Sequence, residues 1–194
     1  MSDTSEAANL PATAWAVLGM LSFDRELSGY DLKKWADNSL RFFYWSPASS
    51  QIYAELRRLE KVGYVTSRVA AQDDLRNKRL FTITPAGTAA ITDWVHNAPV
   101  DPPVLKHGVA LRTWLGHLAE PAQLRDVIAE HRDNSARLAE QAAAAADSAS
   151  GVDDWEFPAL VNRWSQRYYE SERELAAGML ADLDRLEEKR RHTR

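Results

Sequence analysis

The order of start and stop signals in residues 46–87 constrains this chain more than any other feature. Ser46 followed by Pro47 predicts a helix start, because serine caps helices and proline fits their first turn. Gly63 is typical of the residue just after a helix. Two alternating apolar segments then predict a β-hairpin, and Thr84 with a following proline predicts another helix start. A capped helix, a hairpin and a second capped helix predict a winged helix-turn-helix.

Two further helices are predicted before this stretch. Residues 12–22 are mostly apolar and predict a short buried helix. In residues 27–40, Ser28 is a good N-cap and Asp31 lies three residues later, as in a capping box. The polar residues 71–78 are predicted to form the tip of the hairpin, which is the wing of the fold.

The charge of the chain is unevenly distributed. The net formal charge is −4. Residues 25–87 nevertheless hold 11 Lys/Arg against 7 Asp/Glu, whereas the rest holds 13 against 21. A modestly basic module is therefore joined to an acidic one, which favours an anionic partner such as DNA for the first.

The composition predicts a cytoplasmic protein. The chain has 194 residues and no cysteine, which is compatible with a reducing compartment. Its first residues lack the basic and apolar regions of a secretory signal. The longest apolar run, near Trp15, is too short to cross a bilayer.

Proline-rich residues 98–103 divide the predicted fold, which is mainly α. We expect a disordered N-terminus at 1–11 and a winged helix-turn-helix domain at 12–97. After the linker at 98–103, residues 104–194 are predicted to form a coiled-coil-like helical domain for dimerisation and for binding an effector.

Three helices are predicted in this C-terminal part, at 104–118, 121–149 and 155–191. The last could reach roughly 50 Å, which is too long to pack fully on a small monomer. We therefore expect a homodimer. The predicted seam positions are Leu124, Ile128, His131, Ser135, Leu138, Ala142, Ala145, Phe157, Val161, Trp164, Tyr168, Leu175, Met179, Leu183 and Leu186.

The helix after Ser46 has the chemistry of a recognition helix. Glutamine can pair with adenine and arginine with guanine, while serine, tyrosine and lysine suit phosphates. Basic residues in the wing suit the backbone or the minor groove. The candidate DNA-binding residues are Tyr30, Lys33, Lys34, Ser49, Gln51, Tyr53, Arg57, Arg76, Lys78 and Arg79.

These segments resemble the PadR family of transcriptional regulators, in particular the AphA-like branch with a long helical C-terminal domain. The matching stretches are AVLGMLS (16–22), LSGYDLKK (27–34), SPASSQIYAELRRLEKVGYVTS (46–67) and FTITPAG (81–87). The resemblance implies a homodimeric repressor on a pseudo-palindromic operator, released by a small aromatic or hydrophobic compound. The wing departs from the family pattern, because Asp73 and Asp74 place two carboxylates at its tip.

Four aromatic residues are the candidates for effector binding: Trp114, Trp155, Trp164 and Tyr168. Aromatic side chains build pockets for planar ligands, but they equally serve as core and dimer packing.

No enzyme, cofactor or metal site is predicted. None of the five histidines forms an HExxH motif or a helical pair. No nucleophile elbow or phosphate-binding glycine loop occurs. The alternative to a DNA-binding regulator is a helical protein–protein interaction module whose winged helix does not bind DNA.

Overall fold

The computed structural model describes residues 10–23, 25–72, 75–100 and 102–192, and the side chains of 71–72 and 75–77 are outside this description. The elements are α1 (Ala12–Leu21), α2 (Gly29–Asn38), α3 (Ser49–Lys61), β1 (Val65–Gln72), β2 (Leu75–Ile83), α4 (Pro85–Asn97), α5 (Gly108–Trp114), α6 (Pro121–Ala149) and α7 (Glu156–His192). Single 3₁₀ turns occupy Leu40–Phe42 and Gly116–Leu118.

The chain divides into two compact units, Met1–Asp101 and Pro102–Arg194. The predicted linker at 98–103 spans the division point. The predicted disordered segment lies outside the described residues up to residue 9. Leu10, which was included in that segment, instead packs into the core of the first unit. None of the helices in the described part combines the length and hydrophobicity needed to span a bilayer.

The core of the first unit lies between α1, α2, α3 and the base of the hairpin. Helix α3 contributes Ile52, Leu56 and Leu59, whose spacings of four and three place them on one face. Their partners on the other elements include Val17, Leu18, Leu21, Leu32, Ala36, Val65 and Phe81. The opposite face of α3 is thereby left to solvent.

The start of α2 confirms its predicted capping box. The Ser28 hydroxyl accepts a hydrogen bond from the Asp31 amide at 3.3 Å, and Asp31 Oδ2 accepts from the Ser28 amide at 3.0 Å. Two of the free amides at the helix start are therefore satisfied.

The predicted start of α3 at Ser46 is wrong. The N-cap is Ala48, whose amide donates to Gln51 Oε1 at 2.8 Å. The Ser46 hydroxyl is instead occupied by Lys33 and Asp37 of α2. Because its side chain bonds to α2, Ser46 ties the two helices together and does not cap α3.

The end of α3 at Gly63 confirms the prediction. Gly63 has a φ of +79°, a left-handed conformation that glycine adopts without steric cost. The Gly63 amide donates to the Glu60 carbonyl at 3.1 Å, and the Tyr64 amide donates to the Leu59 carbonyl at 2.9 Å. This Schellman pattern turns the chain directly into β1.

The hairpin is antiparallel, with Val65 opposite Ile83 and Val69 opposite Arg79. Its strands are longer than predicted, because residues 75–78 belong to β2 and not to the tip. The tip residues Asp73 and Asp74 lie outside the described residues. As predicted, Thr84 caps the next helix by accepting from the Gly87 amide at 3.0 Å.

The second unit is a helical hairpin with a short helix beside it. Helix α6 covers its predicted range, and α7 follows after a turn at 150–155 and packs along α6. The predicted helix at 104–118 is wrong in length. Helix α5 begins only at Gly108, because the His107 side chain caps it by accepting from the Ala110 amide at 3.1 Å.

The predicted seam is buried within the chain on part of α6 and is mostly exposed on α7. On α6, Leu124, Ile128, Ser135 and Ala142 are buried as expected. On α7 the buried residues are Ala159, Asn162, Ser165, Glu172 and Ala176. The predicted positions Phe157, Trp164, Tyr168, Leu175 and Leu186 are exposed. Alanines dominate the far half of α6, so the helices approach closely through small residues and the large side chains of α7 remain outside.

Candidate nucleic-acid interface

The solvent face of α3 presents a polar row that begins in its first turn. Ser49, Gln51, Tyr53 and Arg57 are all exposed, because the buried stripe of α3 lies on the opposite side. Within the described residues, Arg57 has no hydrogen-bond or ion-pair partner. A free guanidinium at this position can reach a base edge or a phosphate without breaking an internal bond.

Gly29 lets the start of α2 approach the ring of Tyr53 on α3. A Cβ built on Gly29 would lie 2.5 Å from the Tyr53 ring. A side chain at residue 29 would therefore force the Tyr53 ring to move. Tyr53 is held against α2 while it remains 42% exposed.

The three predicted residues on α2 differ in availability. Tyr30 is 71% exposed. Lys34 is also exposed and has no partner among the described residues. Lys33 instead forms an ion pair with Asp37, and its Nζ donates to the Ser46 hydroxyl at 2.9 Å. Lys33 therefore joins α2 to the turn before α3, and much of its charge is neutralised.

The described wing cations are also paired within the chain. Lys78 Nζ lies 2.9 Å from Asp31 Oδ2, and Arg79 lies 2.7 Å from Glu60. The Ser67 hydroxyl and the Arg79 guanidinium hold the pKa of Glu60 below its usual range. The side chain of Arg76, the third predicted wing cation, lies outside the described residues. Both described cations therefore anchor the wing to the helix-turn-helix.

The sequence candidates left out two basic residues at the far end of α3. Arg57, Arg58 and Lys61 line one surface depression of about 280 Å³. Arg58 donates to Glu55 at 3.0 Å. The three cations lie close together because residues three or four apart on a helix are neighbours. The helical periodicity that identified Arg57 could therefore have identified Arg58 and Lys61.

The second unit contains a cavity of about 410 Å³ between α5, α6 and α7. Of the four predicted effector residues, Tyr168 lines this cavity and Trp164 stacks on Tyr168 with ring centroids 5.6 Å apart. Trp114 and Trp155 do not line it, and Trp114 is 79% exposed. Lys106, Arg112 and Tyr169 also line the cavity and were not predicted.

One wall of this cavity carries a buried polar cluster. Glu172 Oε2 lies 3.0 Å from His107 Nε2 and 3.1 Å from His131 Nε2. Burial raises the pKa of Glu172, but hydrogen bonds from His131 and His107 lower it further, so the pKa lies below its usual value. His131, predicted as a seam residue that sets register, therefore takes part in a bridge between helices.

The polar face of α3, its packing against α2 and the anchored hairpin are the parts of a winged helix. Residues 17–93 match the model of the Transcriptional regulator PadR-like family. The matched residues include α2, α3, the hairpin and most of α4, so this part of the chain is similar to that family.

Two curated relatives agree with this assignment. The chain is 34% identical over 100 residues to the Negative transcriptional regulator PadR of Bacillus subtilis (strain 168), which covers 52% of this chain and 54% of that protein. It is 31% identical over 84 residues to the Probable transcriptional regulator Rv1176c of Mycobacterium tuberculosis, which covers 43% of this chain and 43% of that protein. The match thus spans about half the length of these relatives. Both relatives are named as transcriptional regulators.

Solved structures confirm the predicted fold. B. subtilis PadR in complex with operator DNA superposes with a TM-score of 0.76 at 23% identity over 89% of this chain and 99% of that chain. B. subtilis PadR in complex with p-coumaric acid superposes with a TM-score of 0.68 at 21% identity, over 95% of this chain and 99% of that chain. The Vibrio cholerae virulence activator AphA superposes with a TM-score of 0.66 at 22% identity, over 90% of this chain and 99% of that chain. The winged helix and the helical C-terminal part are therefore both shared with these proteins.

Proposed function

We propose that this chain is a transcriptional repressor that binds double-stranded DNA through α3. The observation that carries this proposal is the exposed, unpaired Arg57 on the polar face of α3 within a PadR-like domain. The DNA complex of B. subtilis PadR adds support, since the two proteins share a fold. Residues 12–97 are the DNA-binding domain in this proposal.

The chemistry of α3 suits a helix in the major groove. The groove admits one helix, and Gln51 and Arg57 offer bidentate groups for adenine and guanine. Ser49, Tyr53 and Lys34 lie beside them and suit phosphates, which fix the register of a protein on DNA. The wing contributes less direct charge, because Lys78 and Arg79 are ion-paired.

The repressor acts as a homodimer in this proposal, with residues 104–194 forming the dimer. Phe157, Leu160, Trp164 and Leu175 are all more than half exposed and lie on one side of α7. This side is about 130° around the helix from the buried face that packs on α6. Such a stripe of large apolar side chains is typical of an interface. A two-fold dimer would present two α3 helices to a pseudo-palindromic operator.

A small aromatic effector that releases DNA is the last part of the proposal. The cavity beside Tyr168 is large enough for one planar ligand, and Lys106 and Arg112 offer positive charge for a carboxylate. A structure of B. subtilis PadR holds p-coumaric acid, which has this chemistry. The ligand affects DNA binding only if it favours one dimer geometry over another.

A binding assay on the DNA that precedes its own coding sequence tests the proposal. Wild-type protein should protect two half-sites, and p-coumaric acid should reduce this protection. Arg57→Ala should weaken it, while Arg137→Ala, which changes an exposed arginine of α6, should not. Equal protection by both variants would contradict the role of α3.

The second candidate is a protein–protein interaction module. It is favoured by the internal pairing of Lys33, Lys78 and Arg79, which leaves fewer free cations than a DNA surface usually offers. Salt separates the two, because phosphate contacts weaken steeply as salt rises. An affinity for DNA that does not change with salt would favour the interaction module.

A further inference from the structure

We propose that His107, His131 and Glu172 form a binding site for a divalent transition-metal ion in the C-terminal unit. The three side chains come from the segment before α5, from α6 and from α7. Their ligand atoms all lie within 4.8 Å of one another. This inference does not depend on DNA binding, because it concerns only the second unit.

The spacing of the three groups is close to that of a zinc site. Tetrahedral bonds of about 2.0–2.2 Å place neighbouring ligand atoms about 3.3–3.6 Å apart. The two Nε2–Oε2 distances are 3.0 and 3.1 Å. The third pair, between the two histidines, also lies within 4.8 Å, so the proposed site requires side-chain rotations that close the three groups around one ion.

The charge of Glu172 supports a cation at this place. Glu172 is 9% exposed, and its hydrogen-bond partners among the described residues are His107, His131 and Tyr168. None of these is a lysine or an arginine. A buried carboxylate is costly without a full countercharge, and a bound divalent ion would supply one.

The donor set also indicates the class of ion. Two imidazoles and one carboxylate suit zinc and its first-row neighbours, whereas the set lacks the thiolates that select softer ions. Three protein ligands leave one coordination position open. It would face the cavity of about 410 Å³, where Lys106 and Arg112 favour water, hydroxide or a small carboxylate as the fourth ligand.

His107 must change its tautomer when the ion binds. In the metal-free chain its Nδ1 accepts from the Ala110 amide at 3.1 Å, so its proton is on Nε2 and points at Glu172. Coordination through Nε2 moves this proton to Nδ1 and breaks the cap of α5. One exposed cap hydrogen bond is weak beside a metal–ligand bond, so the exchange favours the ion.

The absence of a predicted metal site rested on spacings within one helix. Residues 107, 131 and 172 are far apart in sequence, and only the packing of α6 against α7 unites them. Such a site leaves no local motif for sequence reasoning to find.

Metal content of the untagged full chain tests the proposal. The protein is stripped with EDTA, dialysed against zinc chloride and analysed by mass spectrometry, with circular dichroism as the folding control. We expect about one zinc ion per chain. Glu172→Gln and His131→Gln should lower zinc affinity tenfold or more, by about the loss known for altered metal sites. His117→Gln, an exposed histidine of the same unit, should bind like wild type.

Wild-type protein without stoichiometric zinc would overturn the proposal, and so would equal zinc content in all three variants. A second measurement covers variants that do not fold. Nitrogen-15 NMR of wild-type His107 should show the proton on Nε2 without metal and on Nδ1 with zinc. A His107 signal that zinc leaves unchanged, or that responds to pH alone, would show a hydrogen-bonded cluster and would also overturn the proposal.

Discussion

At the scale of single residues, exposure and availability are different properties. Arg57 and Arg79 are both exposed, and the sequence predicts both as DNA contacts. Arg57 has no partner among the described residues, whereas Arg79 is bound to Glu60 and Ser67. Sequence periodicity predicts which side chains reach solvent. It does not predict such pairs, because Glu60 and Arg79 are brought together only by the fold of the hairpin onto α3.

Substitution of Arg57 tests base or phosphate contact directly. Arg57→Ala should weaken operator binding by about 1–3 kcal/mol, because a guanidinium contact to DNA is lost and no hydrogen bond or ion pair among the described residues is broken. Fluorescence anisotropy with a labelled duplex measures the change. Arg137→Ala is the control, and equal affinity of the two variants would exclude Arg57 from the interface.

Substitutions of the two partners in the Glu60–Arg79 ion pair should change DNA affinity in opposite directions. Arg79→Ala should weaken DNA binding without dissociating the dimer, because it leaves the Glu60 carboxylate unpaired near the phosphates. Glu60→Gln should strengthen binding, because it releases the guanidinium. The same anisotropy assay measures both. A Glu60→Gln variant that binds more weakly than wild type would assign Arg79 a purely structural role.

The backbone at Gly63 sets the stability of the junction between α3 and the wing. Gly63→Ala should lower the free energy of unfolding by about 1–2 kcal/mol, because an alanine is strained at positive φ. Urea denaturation followed by circular dichroism measures this. Gly151→Ala is a matched control, since that glycine has no neighbouring atom within 4 Å and no positive φ. Equal destabilisation would mean that the left-handed conformation is unimportant.

At the scale of elements, the sequence predicted correctly those helix ends that depend on residues close together in the chain. The capping box at Ser28, the stop at Gly63 and the cap at Thr84 are confirmed, because each uses atoms within a few residues. The start of α3 and the length of α5 are wrong. In these two places Ser46 bonds to another helix and His107 caps from within a longer irregular segment. Several large apolar side chains of α7 are exposed in the single chain, and the prediction that they pack on a second copy stays a prediction.

The link between α2 and the wing should depend on pH. Partial burial raises the pKa of Asp31, but hydrogen bonds from Ser28 and Lys78 lower it more, so the pKa is below its usual range. The stability that this carboxylate contributes is present above its unfolded pKa and is lost as pH falls through the folded value.

Asp31→Asn should therefore cost about 1 kcal/mol near pH 7, a typical value for a helix cap. The difference from wild type should vanish in strong acid, where the carboxyl is protonated in both states. Urea denaturation across pH measures it. A difference that stays constant over the whole range would contradict an electrostatic role of Asp31.

At the scale of the whole molecule, large apolar side chains are left outside a small core in the second unit. The buried cluster there consists of Leu124, Ile128 and Ala176 with a few half-buried neighbours. Sequence reasoning inferred a partner from the length of the last helix, and the exposed stripe on α7 gives that inference a surface. The cavity and the His107–His131–Glu172 cluster could not be predicted, because they depend on how three separate elements pack.

A charge on this stripe should separate the proposed dimer. Leu175 is 64% exposed. Leu175→Glu should therefore leave the chain folded but shift it to monomer, because the carboxylate would be buried at the interface. Light scattering after size exclusion measures the mass. Ala177→Glu, exposed on the other side of α7, is the control. A Leu175→Glu protein that keeps the mass of the wild type would place the interface elsewhere.

The central claim is that α3 reads DNA within a dimer. The most direct test is the affinity of wild type and Arg57→Ala for the footprinted segment, measured between about 50 and 200 mM salt. We predict sequence-specific binding to two half-sites about one or more helical turns apart, an affinity that falls steeply with salt, and a clear loss in the variant. Binding that ignores sequence and salt, or that is unchanged in Arg57→Ala, would contradict the account.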